Sequence, residues 1–173
     1  TLRVASDDAE TPVVTIPVRG EGGNPALAVA DSIHAFGAVR VGTAAEWMLR
    51  VRNEGTTPLT VDSLVVDAGP FTAPGTWPAA VAAGDSADLV LRFAPGETGT
   101  ADATAALHSD DVARPLVWIA LSGSGVIPDL DLAATAHSFG DVRLGTHADW
   151  PLIARNRGGH PLVLRSAAVG DTL

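Results

Sequence analysis

Two Ser-Asp-Asp runs, Ser6-Asp7-Asp8 and Ser109-Asp110-Asp111, carry the residues best suited to chemistry in this chain. Adjacent carboxylates are hard oxygen donors, and calcium takes about six to eight such ligands, so these runs are the best candidates for a divalent cation. Two aspartates are too few alone, even with Asp129 and Asp131 nearby in sequence. Asp and Ser also bond to neighbouring backbone and start turns, which is the simpler reading. His34 and His137 each stand two residues before a Phe-Gly pair, but neither has a second histidine or a carboxylate at metal-ligand spacing. They read as polar strand residues, and His108, His147 and His160 as surface.

Other reactive patterns fail early. Ser122-Gly123-Ser124-Gly125 is not a Gly-x-Ser-x-Gly nucleophile elbow. The Gly20–Gly23 cluster precedes no helical pattern, so it is not a phosphate-binding loop. The carboxylates are scattered through turns, without the pair that glycoside hydrolysis needs. The expectation is therefore no catalytic residue, no cofactor-binding residue and no metal ligand: the segment is not an enzyme. One residue invites a binding role. If Val117, Ile119 and Leu121 face inward, Leu116 and Trp118 lie on the outer face, a candidate contact surface for another chain or for sugar.

The elements that position these residues are written more than once. Phe36-Gly37-Ala38-Val39-Arg40-Val41-Gly42-Thr43 returns as Phe139-Gly140-Asp141-Val142-Arg143-Leu144-Gly145-Thr146, an offset of 103. The same offset pairs the Ser-Asp-Asp runs, Pro25 with Pro128, Trp47 with Trp150, Asn53 with Asn156, and Gly55 with Gly158. Of the 70 pairs it creates (173 − 103), 29 are identical without a gap. Chance would give roughly one in ten, so the chain contains an internal repeat. Residues 1–24 match the end of a unit, 25–127 form a complete one, and 128–173 match the start of another. On this reading the chain is a window on a longer polypeptide.

Within the complete unit, Glu46-Trp47-Met48-Leu49-Arg50-Val51-Arg52 alternates strictly, with Trp47, Leu49 and Val51 inward. Leu89, Leu91 and Phe93 form another inward face, as do Ala101, Ala103, Ala105 and Leu107. Leu27, Val29, Ile33 and Phe36 open the unit, and residues 67–79 form a Gly- and Pro-rich connection whose Phe71 and Trp77 plug one end of the core. About seven short strands, turn signals every 8–12 residues or so and no helical period predict an antiparallel β-sandwich. Phe36, Trp47, Phe93, Phe139 and Trp150 are the expected aromatic core of the repeating structure. In the third copy Pro151 replaces Met48, so that position should face solvent at an edge or bulge.

Composition narrows the partners. The net charge is −9, and all eleven basic residues are arginine and dispersed, which excludes a general nucleic-acid binder. There is no cysteine, hence no disulfide and no thiolate chemistry. No apolar run approaches membrane-spanning length. The lysine-free, alanine-rich composition is associated with G+C-rich bacterial genomes.

The ordered motifs Phe36-Gly37-x-Val39-x-Val41-Gly42, Asn53-x-Gly55-x-x-Pro58-Leu59, Leu91-x-Phe93-x-Pro95, Ser109-Asp110-Asp111 and Leu121-x-Gly123-x-Gly125 resemble the ASH (ASPM–SPD-2–Hydin) family of Ig-like domains. In bacteria such domains occur in tandem in choice-of-anchor D proteins. The resemblance implies tandem seven-stranded immunoglobulin-like sandwiches related to the major sperm protein fold, without catalytic residues. It implies a structural segment of a large repetitive bacterial protein, a surface stalk or extracellular filament. Its partners would be neighbouring repeats, and other copies where it forms a filament. An adhesive or carbohydrate- or protein-binding module attached to a separate functional domain is the alternative, and a cytoplasmic scaffold is the alternative location.

Overall fold

A computed structural model describes residues 1–67 and 69–169, and the described residues contain strands and turns without a helix. The first two strands are β1 (Leu2–Ala5) and β2 (Val13–Ile16). The complete unit follows as β3 (Leu27–Val29), β4 (Ile33–Arg40), β5 (Ala45–Asn53), β6 (Leu59–Val66), β7 (Phe71–Thr72), β8 (Ala79–Val81), β9 (Ser86–Phe93), β10 (Gly99–Ser109) and β11 (Leu116–Val126). The last two are β12 (Leu130–Leu132) and β13 (Ala154–Asn156).

The complete unit is a two-sheet sandwich. One sheet has the order β4-β11-β10-β6-β8 and the other β3-β5-β9-β7. Alternation decides what lies between them. In β5, Leu49 and Val51 are fully buried while Met48, Arg50 and Arg52 face water, and Arg50 pairs with Asp88 across the strands at 2.8 Å. Leu91 and Phe93 of β9 meet Leu59 and Val61 of β6, Ala105 and Leu107 of β10, and Ile119 and Leu121 of β11 in one core. Burying each of these large side chains is worth about 1.5–3 kcal/mol, the term that holds the sheets together. Phe36 and Trp47 are half-buried against that core, and Phe71 stacks on Phe93 at 4.6 Å between centroids.

Two details differ from the sequence reading. Among the described residues the unit has nine strands and not seven, because the connection at residues 67–79 contributes β7 and the start of β8. Phe71 is drawn in by burial, and its backbone then pairs with Phe93. The sandwich is not wholly antiparallel: β4 and β11 run parallel, Ala120 opposite Ile33 and Val126 opposite Arg40. Their register shifts between Ser122 and Ser124, beside Gly37, whose φ of 69° lies in the left-handed region glycine favours. Ile33 points outward and is 74% exposed, because the chain changes sheets between β3 and β4 and begins the new strand with its outer face.

The flanking segments reproduce parts of this unit at the same offset. Leu2 faces Ile16 and Ala5 faces Val13, as Ala105 faces Ile119 and His108 faces Leu116. Leu130 faces Asn156 and Leu132 faces Ala154, as Leu27 faces Asn53 and Val29 faces Val51. Pro151 is exposed, and the strand that spans nine residues in β5 shortens to three in β13, starting after the proline.

Candidate interaction surface and the clamped junction

Three of the four aspartates of the Ser-Asp-Asp runs, Asp8, Asp110 and Asp111, accept hydrogen bonds from backbone N–H groups around them. Asp111 is buried, and its Oδ2 accepts from the Leu27 N–H at 2.8 Å while Oδ1 accepts from Ala113 N–H at 2.8 Å. The Leu27 bond is the main reason its carboxyl sits below the usual carboxylate range, against the opposing effect of burial. Arg114 donates to the Leu27 carbonyl at 3.3 Å, so one turn ties the β10–β11 hairpin to the first strand of the other sheet. Asp110 accepts from Thr60 N–H at 2.8 Å. In the first copy Asp8 accepts from Glu10 N–H at 2.9 Å and from the Thr11 hydroxyl at 3.0 Å. These are turn bonds of the kind the sequence suggests. Among the described residues, no three or more His, Asp or Glu side chains converge as metal ligands.

His34 has a structural position. Its ring lies flat on Trp47, with centroids 4.2 Å apart and planes 2° apart, and meets the edge of Phe36 at 4.7 Å. Because β4 and β5 belong to different sheets, the stack bridges the two sheets. Burial lowers the His34 pKa, and the charge of Asp31 partly offsets it. His137 repeats the arrangement with Trp150 at 4.3 Å and Phe139 at 4.7 Å. The wider surroundings are not repeated. Phe36 also packs on Phe71 and Phe93, whose counterparts at this offset fall past residue 173, and Phe139 is 52% exposed. Of the five aromatic residues read as core, Phe93, Phe36 and Trp47 pack in the described core, whereas Phe139 and Trp150 stand outside it.

Trp118 and Leu116 lie on the outer face of the five-stranded sheet, with Trp118 59% exposed. They are not alone there. Trp118 pairs with Ala106, and Ala106 with Val65, itself 54% exposed. Ala120 pairs with Thr104 on one side and Ile33 on the other. The result is a continuous apolar band across four strands, from Val65 through Ala106, Trp118 and Ala120 to Ile33. Beside it lies an open depression of about 370 Å³, lined by Ile33, Ala120, Thr104, Ser122, Asp67 and Asp102. Val65 and the outward placement of Ile33 were not read from the sequence. The signal was there, in apolar residues at outward positions of two strands, but strand neighbours cannot be read from one chain.

A third feature is the clamp at the start of the unit. Asn53 is fully buried; its Oδ1 accepts from Gly55 N–H at 2.9 Å and Ala26 N–H at 3.2 Å, and its Nδ2 donates to the Thr57 carbonyl at 2.8 Å and the Val81 carbonyl at 3.0 Å. Asn156 accepts from Gly158 N–H at 3.0 Å and Asp129 N–H at 3.1 Å, and donates to the His160 carbonyl at 2.8 Å. Glycine is required beside it: a Cβ on Gly55 would fall 2.6 Å from Ala26 N, and one on Gly158 2.6 Å from Asp129 N. Each Asn-x-Gly turn therefore grips the segment entering its unit, at Pro25 and at Pro128. The sequence showed a repeated turn here and hid its second function, holding the linker.

With this geometry established, known proteins place the chain. Residues 25–124 match the family model described as HYDIN/CFA65/VesB-like, Ig-like domain. The chain belongs to this family. This HYDIN/CFA65/VesB-like segment is also 30% identical over 149 residues to the cilia- and flagella-associated protein 65 of Chlamydomonas reinhardtii, covering 84% of the chain but only 7% of that protein's length. Among solved structures, the ASH/PapD-like domain 7 of human CEP192 is similar at a TM-score of 0.48 and 14% identity, covering 65% of this chain and 92% of that one. The VesB protease of Vibrio cholerae is similar at a TM-score of 0.46 and 11% identity, covering 58% and 32%. A HYDIN/CFA65/VesB-like Ig domain is a structural or binding module, and the ASH-like resemblance seen in the motifs is this same family.

Proposed function

We propose that the chain is a non-catalytic spacer within a larger protein, built of sandwich modules in series with a clamped junction between them. Residues 25–127 are one module; residues 1–24 we read as closing strands of another, and 128–173 as opening strands of a third. The junction carries this reading. The Asn53 and Asn156 clamps agree to within 0.1 Å in each of their three shared bonds, at both linkers. The linkers are short and contain Pro25 and Pro128, and gripping them limits the angles between successive modules. Such modules transmit distance and not chemistry. Neighbouring modules of the same chain are then the first partners, with other copies beside them in a filament.

On this reading the parent protein is a stalk or filament at the cell surface. A cytoplasmic scaffold is the second location, and the likeness to a cilia- and flagella-associated protein favours it. Negative-stain imaging of the full-length parent tests the spacer: beads at a spacing of roughly 35 Å, the size of a compact 100-residue module, support it. A single compact particle, or turnover of a substrate by residues 1–173, overturns it. The apolar band around Trp118 favours an additional binding role.

A further inference from the structure

We propose that the outer face of the β4-β11-β10-β6 layer docks an extended polypeptide segment of a partner that carries apolar side chains followed, along the same face, by arginine or lysine. This goes beyond the spacer reading and does not depend on it. The apolar band from Val65 through Trp118 to Ile33 crosses four strands, roughly 14 Å at the usual strand spacing. Nothing in the fold requires it. The inward residues of the same strands, Leu64, Ala105, Leu107, Ile119 and Leu121, already form the core.

Nor does the band belong to the repeated scaffold. At the offset of 103 the core and turn residues recur, but Trp118 corresponds to Thr15, Ala106 to Arg3, Ile33 to Ala136 and Val65 to Ala168. A surface used by every module against its neighbour would recur with the core. This one is particular to the middle unit, so its occupant is something other than a generic adjacent module.

Charge selects the occupant. β6, β10 and β11 carry two carboxylates, Asp62 and Asp102, and no arginine or lysine; the one arginine of β4, Arg40, stands at its far end opposite Val126. Asp67 and Asp102 line the depression at one end of the band, and Asp31 lies two residues before Ile33. Asp67 holds Thr104 N–H with Oδ1 at 3.0 Å, leaving Oδ2 for a partner. The chain's net charge of −9 would steer a cationic segment toward the face and oppose a second copy. Moving from the Trp118 row to the Ala120 row and on to the Ser122 row advances two residues each time, about 6.6–6.8 Å per step. An extended segment along β11 thus sets an apolar side chain on Trp118 and a cationic one over the Asp67–Asp102 depression, both from the same side of its backbone.

The test uses the whole 173-residue chain and synthetic ten-residue peptides: one with two leucines followed along the same face by two arginines, one with glutamate in place of those arginines, and one with the arginine sequence scrambled. Titration calorimetry and tryptophan fluorescence read binding at low and high salt. The expected result is saturable binding of the arginine peptide, at least tenfold weaker for Trp118→Ser and several-fold weaker for Asp102→Asn. The glutamate and scrambled peptides should bind at least tenfold more weakly than the arginine peptide. Thr15 at the matching position shows that a polar residue is accepted there, and an unchanged unfolding midpoint for the variants verifies it. Lack of arginine-peptide binding up to millimolar concentration, equal binding of the glutamate peptide, or equal binding to the Trp118→Ser chain overturns the proposal. So does a chain that sediments as a dimer and becomes a monomer on Trp118→Ser, which would make a second copy the occupant.

Discussion

Replacing Asn53 by alanine removes one side chain and four hydrogen bonds at once. The loss leaves the N–H groups of Ala26 and Gly55 and the carbonyls of Thr57 and Val81 without their partner. The Val81 carbonyl is buried and the other three are partly so. An orphaned buried polar group costs about 1–3 kcal/mol, and water reaches the partly covered groups and reduces their share. A total of about 3–5 kcal/mol follows, a large part of the roughly 5–15 kcal/mol that a domain of this kind has in all. Urea unfolding followed by fluorescence should show the midpoint of the complete unit falling by on the order of 2 M, with the slope unchanged. The repeat supplies the control. Asn156 makes three bonds of the same lengths, but at an exposed position where water replaces the missing partner, so Asn156→Ala should alter that midpoint by less than about 0.5 kcal/mol equivalent. Equal effects at the two sites, or a loss below about 1 kcal/mol at Asn53, would refute the reasoning that burial gives the clamp its value.

Three further outcomes are expected. A Cβ on Gly123 would fall 2.6 Å from the Phe93 ring, so Gly123→Ala should destabilise by about 1–3 kcal/mol in thermal or urea unfolding, while Gly20→Ala, with open space around it, stays within about 0.5 kcal/mol. Burial holds the His34 pKa below its ordinary 6.5, so the unfolded chain takes up its proton first as pH falls. Stability should therefore decline as pH drops through 6.5 toward the lower folded value and level off beneath it, and His34→Gln should flatten that slope in unfolding curves collected between pH 5 and 8 or so. Asp111 acts in the same direction at lower pH: its lowered pKa adds stability that is complete above the unfolded value of 3.8 and is lost as pH falls through the folded one. Asp111→Asn should reduce stability at neutral pH and shrink the acid-induced loss.

Much of the sandwich was legible because its residues obey a period of two. Leu49, Val51, Leu89, Leu91, Phe93, Ala105 and Leu107 all face inward as the alternation requires, and Leu116 and Trp118 face outward. The turns were legible from Asn, Asp, Gly and Pro at fixed offsets. Legibility failed where the decisive partner is remote in sequence. The parallel pairing of β4 with β11 joins residues more than 80 positions apart, and no local pattern announces it. Phe71 reads as a loop residue until Phe93 offers both a ring to stack on and a backbone to pair with. Ile33 opens its strand facing outward, and only the change of sheet after Val29 decides that.

The candidate surface failed to emerge whole for the same reason. Trp118 could be assigned to an outer face from its own strand, but a band needs neighbours, and Val65 and Ile33 are brought to it by two different pairings. Comparison of the copies then separates two kinds of constraint acting on one fold. Positions that fill the core or clamp a linker are held by packing and by backbone bonds that a substitution would leave unmet, and these recur at the offset of 103. Outer-face positions contribute little to folding, so each module is free to vary them without cost to its sandwich. A tryptophan on that face, beside two other large apolar residues, does the opposite of what solubility alone would select. Its presence there, where the matching position carries Thr15, is what the proposed docking surface would account for.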